Sequence, residues 1–140
     1  MSVVTNVYNQ MLTDQWSKLI NFANGGDTFK VALYNSSGTF SATDTTYSTT
    51  NELATSGGYT QGGIALTNQA ISGTTSKKWT ADPSVWTSSS AGFTAYYAKI
   101  YDTSNSNHLI AHIDFGGAQP ASGGGTFTIT WDTNGIISVG

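Results

Sequence analysis

The stretch FTAYYAKIYDTSNSNHLIAHIDF, residues 93–115, contains two strand signals on either side of a turn signal. Its two ends are rich in aromatic and aliphatic residues, which are typical of strands, and the polar sequence DTSNSN between them is typical of a turn. The stretch therefore predicts an antiparallel hairpin of strands 93–101 and 108–115. Alternation along the first strand groups Phe93, Ala95, Tyr97, Lys99 and Tyr101. On the second strand it predicts an inner face of Leu109, Ala111, Ile113 and Phe115.

A period of two residues continues on both sides of this hairpin. Residues 29–34 alternate in the same way, and further strand signals occur at 62–68, 126–131 and 136–139. Seven or eight short strands separated by Gly, Ser and Asn predict a mainly β fold, an antiparallel β-sandwich or jelly roll that forms a single domain over residues 27–140. Residues 69–92 are the exception, because Pro83 and the sequence TSSS predict long loops around Trp79 and Trp86.

The first 26 residues predict a different element. Apolar residues recur at three- and four-residue spacing between residues 3 and 23, which indicates one amphipathic helix, and Asn24-Gly25-Gly26 is a stop signal. Residues 1–26 are thus expected to form an N-terminal helix and its cap. The apolar stripe is broad, so it must cover the β core or a partner. We expect a protein interface that contains Trp16, Leu19, Ile20, Trp79 and Trp86.

Few residues of the chain are charged. Only 9% of the 140 residues are charged, the net charge is −3, and the five basic residues are all lysines. A nucleic-acid binder needs a basic stripe, so no nucleic-acid partner is expected. The surface instead depends on 22 Thr and 17 Ser. Two interpretations stay open: such a surface favours packing against other proteins, or the domain is simply a neutral β domain.

Residues 51–68, NELATSGGYTQGGIALTN, contain two glycine pairs around Tyr59. A phosphate-binding loop needs a helix after it and usually a lysine at fixed spacing. Here the short β-like sequence IALTN follows, and the stretch contains no lysine. We therefore expect the glycines to form turns with positive φ and a bulge at a corner of the sheet.

No set of residues predicts a reaction. His108 and His112 lie four residues apart on one strand, about 13 Å at ~3.3 Å per residue, which is too far to share a metal ion. They are expected on an outer or interface face together with Ile110 and Asp114. The eight carboxylates form no recognisable group, and the chain has no cysteine. We expect no enzyme, no metal and no cofactor.

The aromatic residues permit a second type of site. A sugar-stacking platform would use Tyr59, Trp79, Trp86, Tyr96 and Tyr101, but most aromatic residues of a β protein belong to cores or interfaces. The start of the chain does not resemble a signal peptide, and no stretch approaches the ~18 apolar residues of a membrane span. The sequence therefore predicts synthesis in a cytoplasm and no membrane partner.

Four stretches, taken in order, resemble a known family. They are DTFKVALYNSSGTF (27–40), TYSTTNELATSGGYTQGGIALTN (46–68), AYYAKIYDTSNSNHLIAHIDFGG (95–117) and GGGTFTITWDTNGII (123–137). Together they resemble small β-rich structural proteins of tailed bacteriophages. The N-terminal segment and the segment of Trp79 and Trp86 do not match the family.

The resemblance implies a jelly-roll-like fold, no catalysis and a place in a virion. The function it favours is a capsid cement or decoration protein that bridges major capsid subunits on the capsid exterior after synthesis in the host cytoplasm. The alternative is a tail-associated or host-glycan-binding module. The expected partners are the major capsid protein of the same phage and further copies of this chain, as a homodimer or a trimer.

Overall fold

A computed structural model of the chain describes residues 3–139. Within them the chain is mainly β, with antiparallel sheets and one short helix, as the sequence predicts. The elements are β1 (Val4–Val7), α1 (Asn9–Trp16), β2 (Phe29–Tyr34), β3 (Ile64–Ala65), β4 (Ala70–Ser72), β5 (Lys77–Thr80), β6 (Ser84–Thr87), β7 (Phe93–Asp102), β8 (His108–Ala121), β9 (Thr126–Ile129) and β10 (Ile137–Val139).

The predicted hairpin is confirmed and forms the centre of the largest sheet. This five-stranded sheet has the order β1-β8-β7-β2-β3. β7 and β8 pair along nearly their whole length, from Phe93 opposite Ala121 to Asp102 opposite His108. The hairpin therefore determines where the other three strands of the sheet attach.

Two irregularities in the hairpin change which side chains share a face. The first lies between Ala95 and Tyr97: Ala95 packs in one cluster, whereas Tyr97 packs with Tyr101 in the other. The prediction that alternate residues from Phe93 to Tyr101 share one face is therefore wrong.

The second irregularity lies between Ile100 and Tyr101. Ile100 lies opposite Ala111 and Tyr101 opposite Leu109, so Ile110 is an extra residue. Leu109 consequently packs with Tyr101 on one side of the sheet, and Ile110 packs with Ala111 on the other. The prediction that Leu109 shares the face of Ala111 is therefore wrong, as is the placement of Ile110 beside the histidines.

The first face of the sheet is covered by two smaller sheets, with the orders β10-β5-β4 and β6-β9. Their inner side chains form one apolar core with side chains of β2, β7 and β8; the core includes Phe29, Val31, Leu33, Trp79, Trp86, Ile100, Ile113, Phe115, Phe127 and Ile129. The prediction of long loops over residues 69–92 is wrong, because β4, β5 and β6 lie there. Trp79 and Trp86 are each about 5% exposed or less.

The second face of the sheet is covered by the irregular segment 35–51 and by Tyr8. A smaller cluster lies beneath them and consists of Tyr8, Ala32, Tyr34, Tyr101 and Leu109, with Phe40, Tyr47 and Tyr97 at its margin. Alternation along β2 places Ala32 and Tyr34 on this side and Val31 and Leu33 on the other. Both faces of the central strands are thus buried.

The predicted helix over residues 3–23 is wrong. Val4–Val7 form an edge strand that pairs with β8, and the helix covers only Asn9–Trp16. Val4, Thr5 and Val7 are β-branched and suit a strand. The helix ends where Lys18 adopts a positive φ of 60°. Leu19 and Ile20 therefore lie beyond the helix in irregular chain.

Candidate functional site

An apolar groove separates α1 from the inner face of the three-stranded sheet. Ile71, Trp79 and Ile137 form one row across that sheet, since Trp79 lies opposite both isoleucines. Leu12 of α1 also lines the groove, whose volume is about 280 Å³, and Phe22 lines it while packing against Trp79. Several of the lining residues also belong to the first-face core, so the groove continues that core to the surface, and no described residue fills the groove itself.

Exposed apolar side chains surround this groove. Leu12 is 49% exposed and Ile71 56%, and Val139 at the end of the lining is 68% exposed. Trp16 is 88% exposed and lies four residues after Leu12, so the two side chains share one side of the helix. Large apolar side chains at this exposure are unusual on a soluble domain when they are contiguous. The groove is therefore the strongest candidate for a protein-binding surface.

The five residues predicted for the interface fall into two groups. Trp16 and Leu19 are exposed, whereas Ile20 packs against the first-face core. Trp86 is buried and does not line the groove. Trp79 is buried as well, but part of its side chain forms the groove wall, and its Nε1 donates to the carbonyl of Phe22 at 3.1 Å.

A second, polar cavity of about 430 Å³ lies on the second face. Its walls belong to segment 35–51 and contribute almost only hydroxyl, amide and backbone groups. Lys99 of β7 and Leu109 of β8 form its floor. Alternation along β7 grouped Lys99 with aromatic residues. A lysine at such a position is the sequence signal that could have indicated a polar site on this face of the sheet.

The glycine-rich stretch 51–68 organises a buried hydrogen-bond network. Gly57 and Gly58 form the tip of a two-residue turn with φ values of 67° and 100°, and Ser56 and Tyr59 pair on either side of it. A Cβ on Gly57 would lie 1.8 Å from the carbonyl oxygen of Gly92, so only glycine fits. The prediction of glycine turns with positive φ is confirmed.

Glu52 is the centre of that network and the only glutamate of the chain. It is 7% exposed and accepts hydrogen bonds from the Tyr47 hydroxyl, the Tyr59 hydroxyl at 2.6 Å and the Gly62 amide at 2.7 Å. Burial, followed by the hydrogen bond to Glu52, raises the pKa of Tyr59 far above its usual value. The sequence analysis drew attention to Tyr59 but not to Glu52. The hydrogen-bond partners of Glu52 lie five to ten residues away and come together only when the turn folds.

The two histidines have separate partners. Nδ1 of His108 lies 2.7 Å from Oδ2 of Asp14, which is 1% exposed and also accepts from Gln10 and Asn105. This cluster attaches α1 to the β7–β8 turn. Within residues 3–139 no serine forms a hydrogen bond with His108, so no Ser-His-Asp arrangement is present around it.

His112 corrects another expectation. It was expected on an outer or interface face, but it is 1% exposed beneath segment 35–51, and its Nε2 lies 2.9 Å from the carbonyl oxygen of Gly38. Burial lowers the pKa of His112, and the positive charge of Lys99 adds to that effect. The neutral imidazole is therefore a structural part of the second face.

A buried carboxyl pair occurs at the end of β7. Asp102 is 0% exposed, and burial together with the neighbouring Asp27 raises its pKa to about 7. Its Oδ1 accepts a hydrogen bond from the Ser104 amide at 2.9 Å. No donor of the described residues reaches the buried Oδ2, so this oxygen can form a hydrogen bond only when it carries the proton itself. The protonated form of Asp102 can donate a hydrogen bond to Asp27.

The remaining predicted site types are not assembled by the fold. Among the described residues no group of three or more His, Asp and Glu side chains could hold a metal ion. Of the five aromatic residues considered for sugar stacking, only Tyr96 is partly exposed; Tyr59, Trp79, Trp86 and Tyr101 are buried. Those five residues therefore form no exposed platform.

Comparisons with protein-family models, with curated proteins and with solved structures found no match for this chain. Within residues 3–139 no helix is long and apolar enough to cross a membrane.

Proposed function

We propose that this chain is a non-enzymatic structural protein of a bacteriophage virion, a decoration or cement protein on the capsid exterior. Its partner is the major capsid protein, whose neighbouring subunits it bridges and stabilises. The observation that carries the proposal is the apolar groove between α1 and the three-stranded sheet, together with the exposed Trp16 one helical turn after the lining residue Leu12. The resemblance of four stretches to phage structural proteins supports the choice of a virion.

The groove suits a protein partner. Tryptophan is enriched among the residues that contribute most to binding, and truncating such a residue typically costs 2 kcal/mol or more. Leu12, Ile71 and Val139 add apolar area around it. The Nζ atoms of Lys77 and Lys78 at the groove already donate to the carbonyls of Gly73 and Thr133. The described lining also contains no carboxylate, so binding through this surface depends mainly on apolar contacts.

Main-chain contacts add to the apolar ones. β1 is an edge strand of the five-stranded sheet, and an edge strand offers unpaired donors and acceptors for strand addition. Each contact can be weak, since avidity over many copies stabilises a lattice. The finer assignment of the two β layers to a jelly-roll-type sandwich, and self-association as a homodimer or trimer, belong to the same proposal.

The first test is the amount of this chain in purified virions of the phage that encodes it. We expect a copy number comparable to that of the major capsid protein, and we expect the chain to stay on the heads in about 1 M salt, where the Debye length is near 3 Å. Absence from virions would contradict the proposal. Release by salt alone would show that charged groups carry the contact.

The second test is rebinding to heads from particles that lack the chain. Trp16→Ser should weaken rebinding about tenfold or more, because an exposed indole at the groove is lost. The matched control is Val85→Ser, since Val85 is 48% exposed on β6 and does not line the groove. Equal affinities of the two variants would exclude the groove as the docking surface.

The second candidate function is a tail-associated or host-glycan-binding module. The observation that favours it is the polar cavity around Lys99 rather than the tryptophans. A small copy number in virions, confined to the tail, would support this alternative over the cement protein.

A further inference from the structure

The polar cavity on the second face contains a cation without a partner. Lys99 lies in the middle of the sheet, opposite Ala32 on β2 and His112 on β8. Its ammonium group lies 4.6 Å from the centre of the Tyr34 ring. Within residues 3–139 this group forms no salt bridge and no hydrogen bond, in contrast to Lys77 and Lys78.

Burial makes this unpaired charge unfavourable. The side chain is half-buried, and desolvation lowers the pKa of Lys99, although the negative charge of Asp44 acts in the opposite direction. Asp44 itself is exposed and does not approach within the 4 Å of an ion pair. A desolvated cation is stabilised by an anion that forms a charge-assisted hydrogen bond with it. The open cavity gives a small anion access to this position.

The walls of the cavity suit a ligand with many hydroxyl groups. Apart from Asp44, Lys99, Gly38 and Leu109, all lining residues carry a hydroxyl or an amide: Ser37, Thr39, Thr45, Thr46, Ser48, Thr50 and Asn51. Some of these hydroxyls bond to each other, as in the pairs Thr45–Thr46 and Ser48–Thr50. Each hydroxyl has one donor and two acceptor positions, so these pairs keep capacity for a ligand.

The shape of the cavity is maintained by close packing at Gly38. A Cβ at this position would lie 2.5 Å from Cβ of Tyr34, so segment 35–51 approaches the sheet here as closely as the backbone permits. The carbonyl of Gly38 is held by His112, and the Tyr34 hydroxyl donates to the carbonyl of Ser48 at 2.7 Å. The volume of about 430 Å³ lies within the ~300–1,000 Å³ of small-molecule sites.

We propose that this cavity binds a saccharide unit that carries one carboxylate, such as a hexuronic acid. The carboxylate accepts hydrogen bonds from Lys99, and the sugar hydroxyls bond to the threonine, serine and asparagine side chains of segment 35–51. Asp44 accepts from a sugar hydroxyl and, as a second negative charge, disfavours a dianionic phosphate. The inference concerns a different surface from the docking groove. It deepens the second candidate function, a glycan-binding module, and does not rest on the cement role.

The test uses the isotopically labelled full chain, titrated with glucuronic acid, glucose and a glucose phosphate and followed by amide chemical shifts. We expect glucuronic acid to shift the amides of residues 37–51 and of Lys99, and to bind more tightly than the other two sugars. No preference over glucose would overturn the proposal. Tighter binding of the glucose phosphate would overturn the assignment of a carboxylate.

Two variants examine the roles of the charges. Lys99→Met keeps the aliphatic stem over Tyr34 and should weaken glucuronic acid binding about tenfold or more, since a charge-assisted hydrogen bond is lost. Lys77→Met, which removes an exposed lysine outside the cavity, should bind like the wild type. Unchanged affinity of a folded Lys99→Met would overturn the proposal.

Asp44→Asn keeps the proposal testable if Lys99→Met does not fold. Asp44 is exposed, so the variant should fold. The Asn Oδ1 can still accept from a sugar hydroxyl, and loss of the negative charge should strengthen the binding of the dianionic glucose phosphate more than that of glucuronic acid, which reduces the discrimination between them. Unchanged affinities for both sugars would contradict the proposal. Trp16→Ser should leave sugar binding unchanged, which separates this result from the test of the docking groove.

Discussion

The two faces of the five-stranded sheet are buried in different ways. The first face meets other strands, and its core consists of aliphatic and aromatic side chains from β2, β5 to β9 and the C-terminal residues. The second face meets the irregular segment 35–51, and its cluster is dominated by tyrosines, with His112 and Lys99 beside them. One sheet therefore supports an apolar layer on one side and a partly polar layer on the other.

The difference follows from the backbone of the covering layer. Strands that cover the first face satisfy most of their polar groups in their own ladders. An irregular segment leaves carbonyls and amides that need other partners when they are buried. Tyrosine supplies both apolar area and a hydroxyl, as Tyr34 does for the carbonyl of Ser48 and Tyr101 for the carbonyl of Gly62. On the second face, tyrosine hydroxyls thus supply hydrogen bonds to an irregular covering layer that has no strand ladder.

The largest effect is expected from a truncation on the first face. Phe127 packs against Trp86, Phe93 and Phe115, so Phe127→Ala should lower the free energy of unfolding by about 3–5 kcal/mol. Urea denaturation of the variant measures this value. Val85→Ala, on the exposed side of the adjacent strand β6, is the control and should change it by about 0.5 kcal/mol or less. Equal losses would break the distinction between core and surface here.

A smaller effect is expected from the polar network around Glu52, which joins Tyr47 at the margin of the second-face cluster to Tyr59 of the first-face core. Glu52→Gln keeps the size of the side chain but cannot accept all three hydrogen bonds, which should cost about 1–3 kcal/mol in the free energy of unfolding. The control is Asp82→Asn, because Asp82 is exposed and accepts one bond from Asn68. If Glu52→Gln is as stable as the wild type, the network does not hold the segment on the sheet.

The stability of the protein should depend on pH through two buried groups, Asp102 on the first face of the sheet and His112 on the second, which act in opposite senses. Asp102 lies opposite Phe29, whose ring belongs to the first face, and its pKa rises from 3.8 to about 7 on folding. Between these pH values the unfolded chain binds fewer protons, so this group's contribution to stability falls as the pH rises. The lowered pKa of His112 acts in the opposite sense: its contribution falls as the pH drops below 6.5.

These opposing contributions can be separated by two variants. Between about pH 4 and 6.5, the slope of the free energy of unfolding against pH should be more positive in Asp102→Asn than in the wild type. In His112→Gln the same slope should be more negative than in the wild type. Urea denaturation at a series of pH values measures both slopes. Slopes equal to that of the wild type in both variants would show that neither buried group titrates differently in the folded chain.

The smallest effect on folding is expected from the docking groove, which belongs to neither face. Trp16 is 88% exposed, so Trp16→Ser should change the free energy of unfolding by no more than about 0.5 kcal/mol. Thermal and urea denaturation check this. A loss as large as that of Phe127→Ala would mean that the indole stabilises the fold of the chain itself and is not reserved for a partner.

Much of the β architecture could be predicted from local patterns. The alternation in residues 93–115 was sufficient for the central hairpin, and the glycine pairs around Tyr59 were sufficient for turns with positive φ. Such features depend on neighbouring residues only. The same approach fails over residues 69–92, where Pro83 and the serines are loop signals but the short strands β4 to β6 lie. Tertiary packing of Trp79 and Trp86 outweighs those weak signals.

The candidate sites were harder to predict, because their residues are far apart in the sequence. The apolar residues at 3–23 fit a helical period, but the free edge of β8 recruits Val4–Val7 as a strand and leaves Trp16 exposed on a short helix. Likewise, Lys99 and segment 35–51 meet only because the loop folds back over the second face.

Local sequence patterns are enough to predict the fold class, the central hairpin and the glycine turns of this protein, since the period of side chains along a strand and the φ preferences of glycine are local properties. Which residues share a face depends on the tertiary pairing of the strands. One extra residue, Ile110, reverses the alternation of β8 and sends Leu109 to the second face. A bulge of this kind is set by pairing with another strand, and the periodicity of a single strand carries no sign of it.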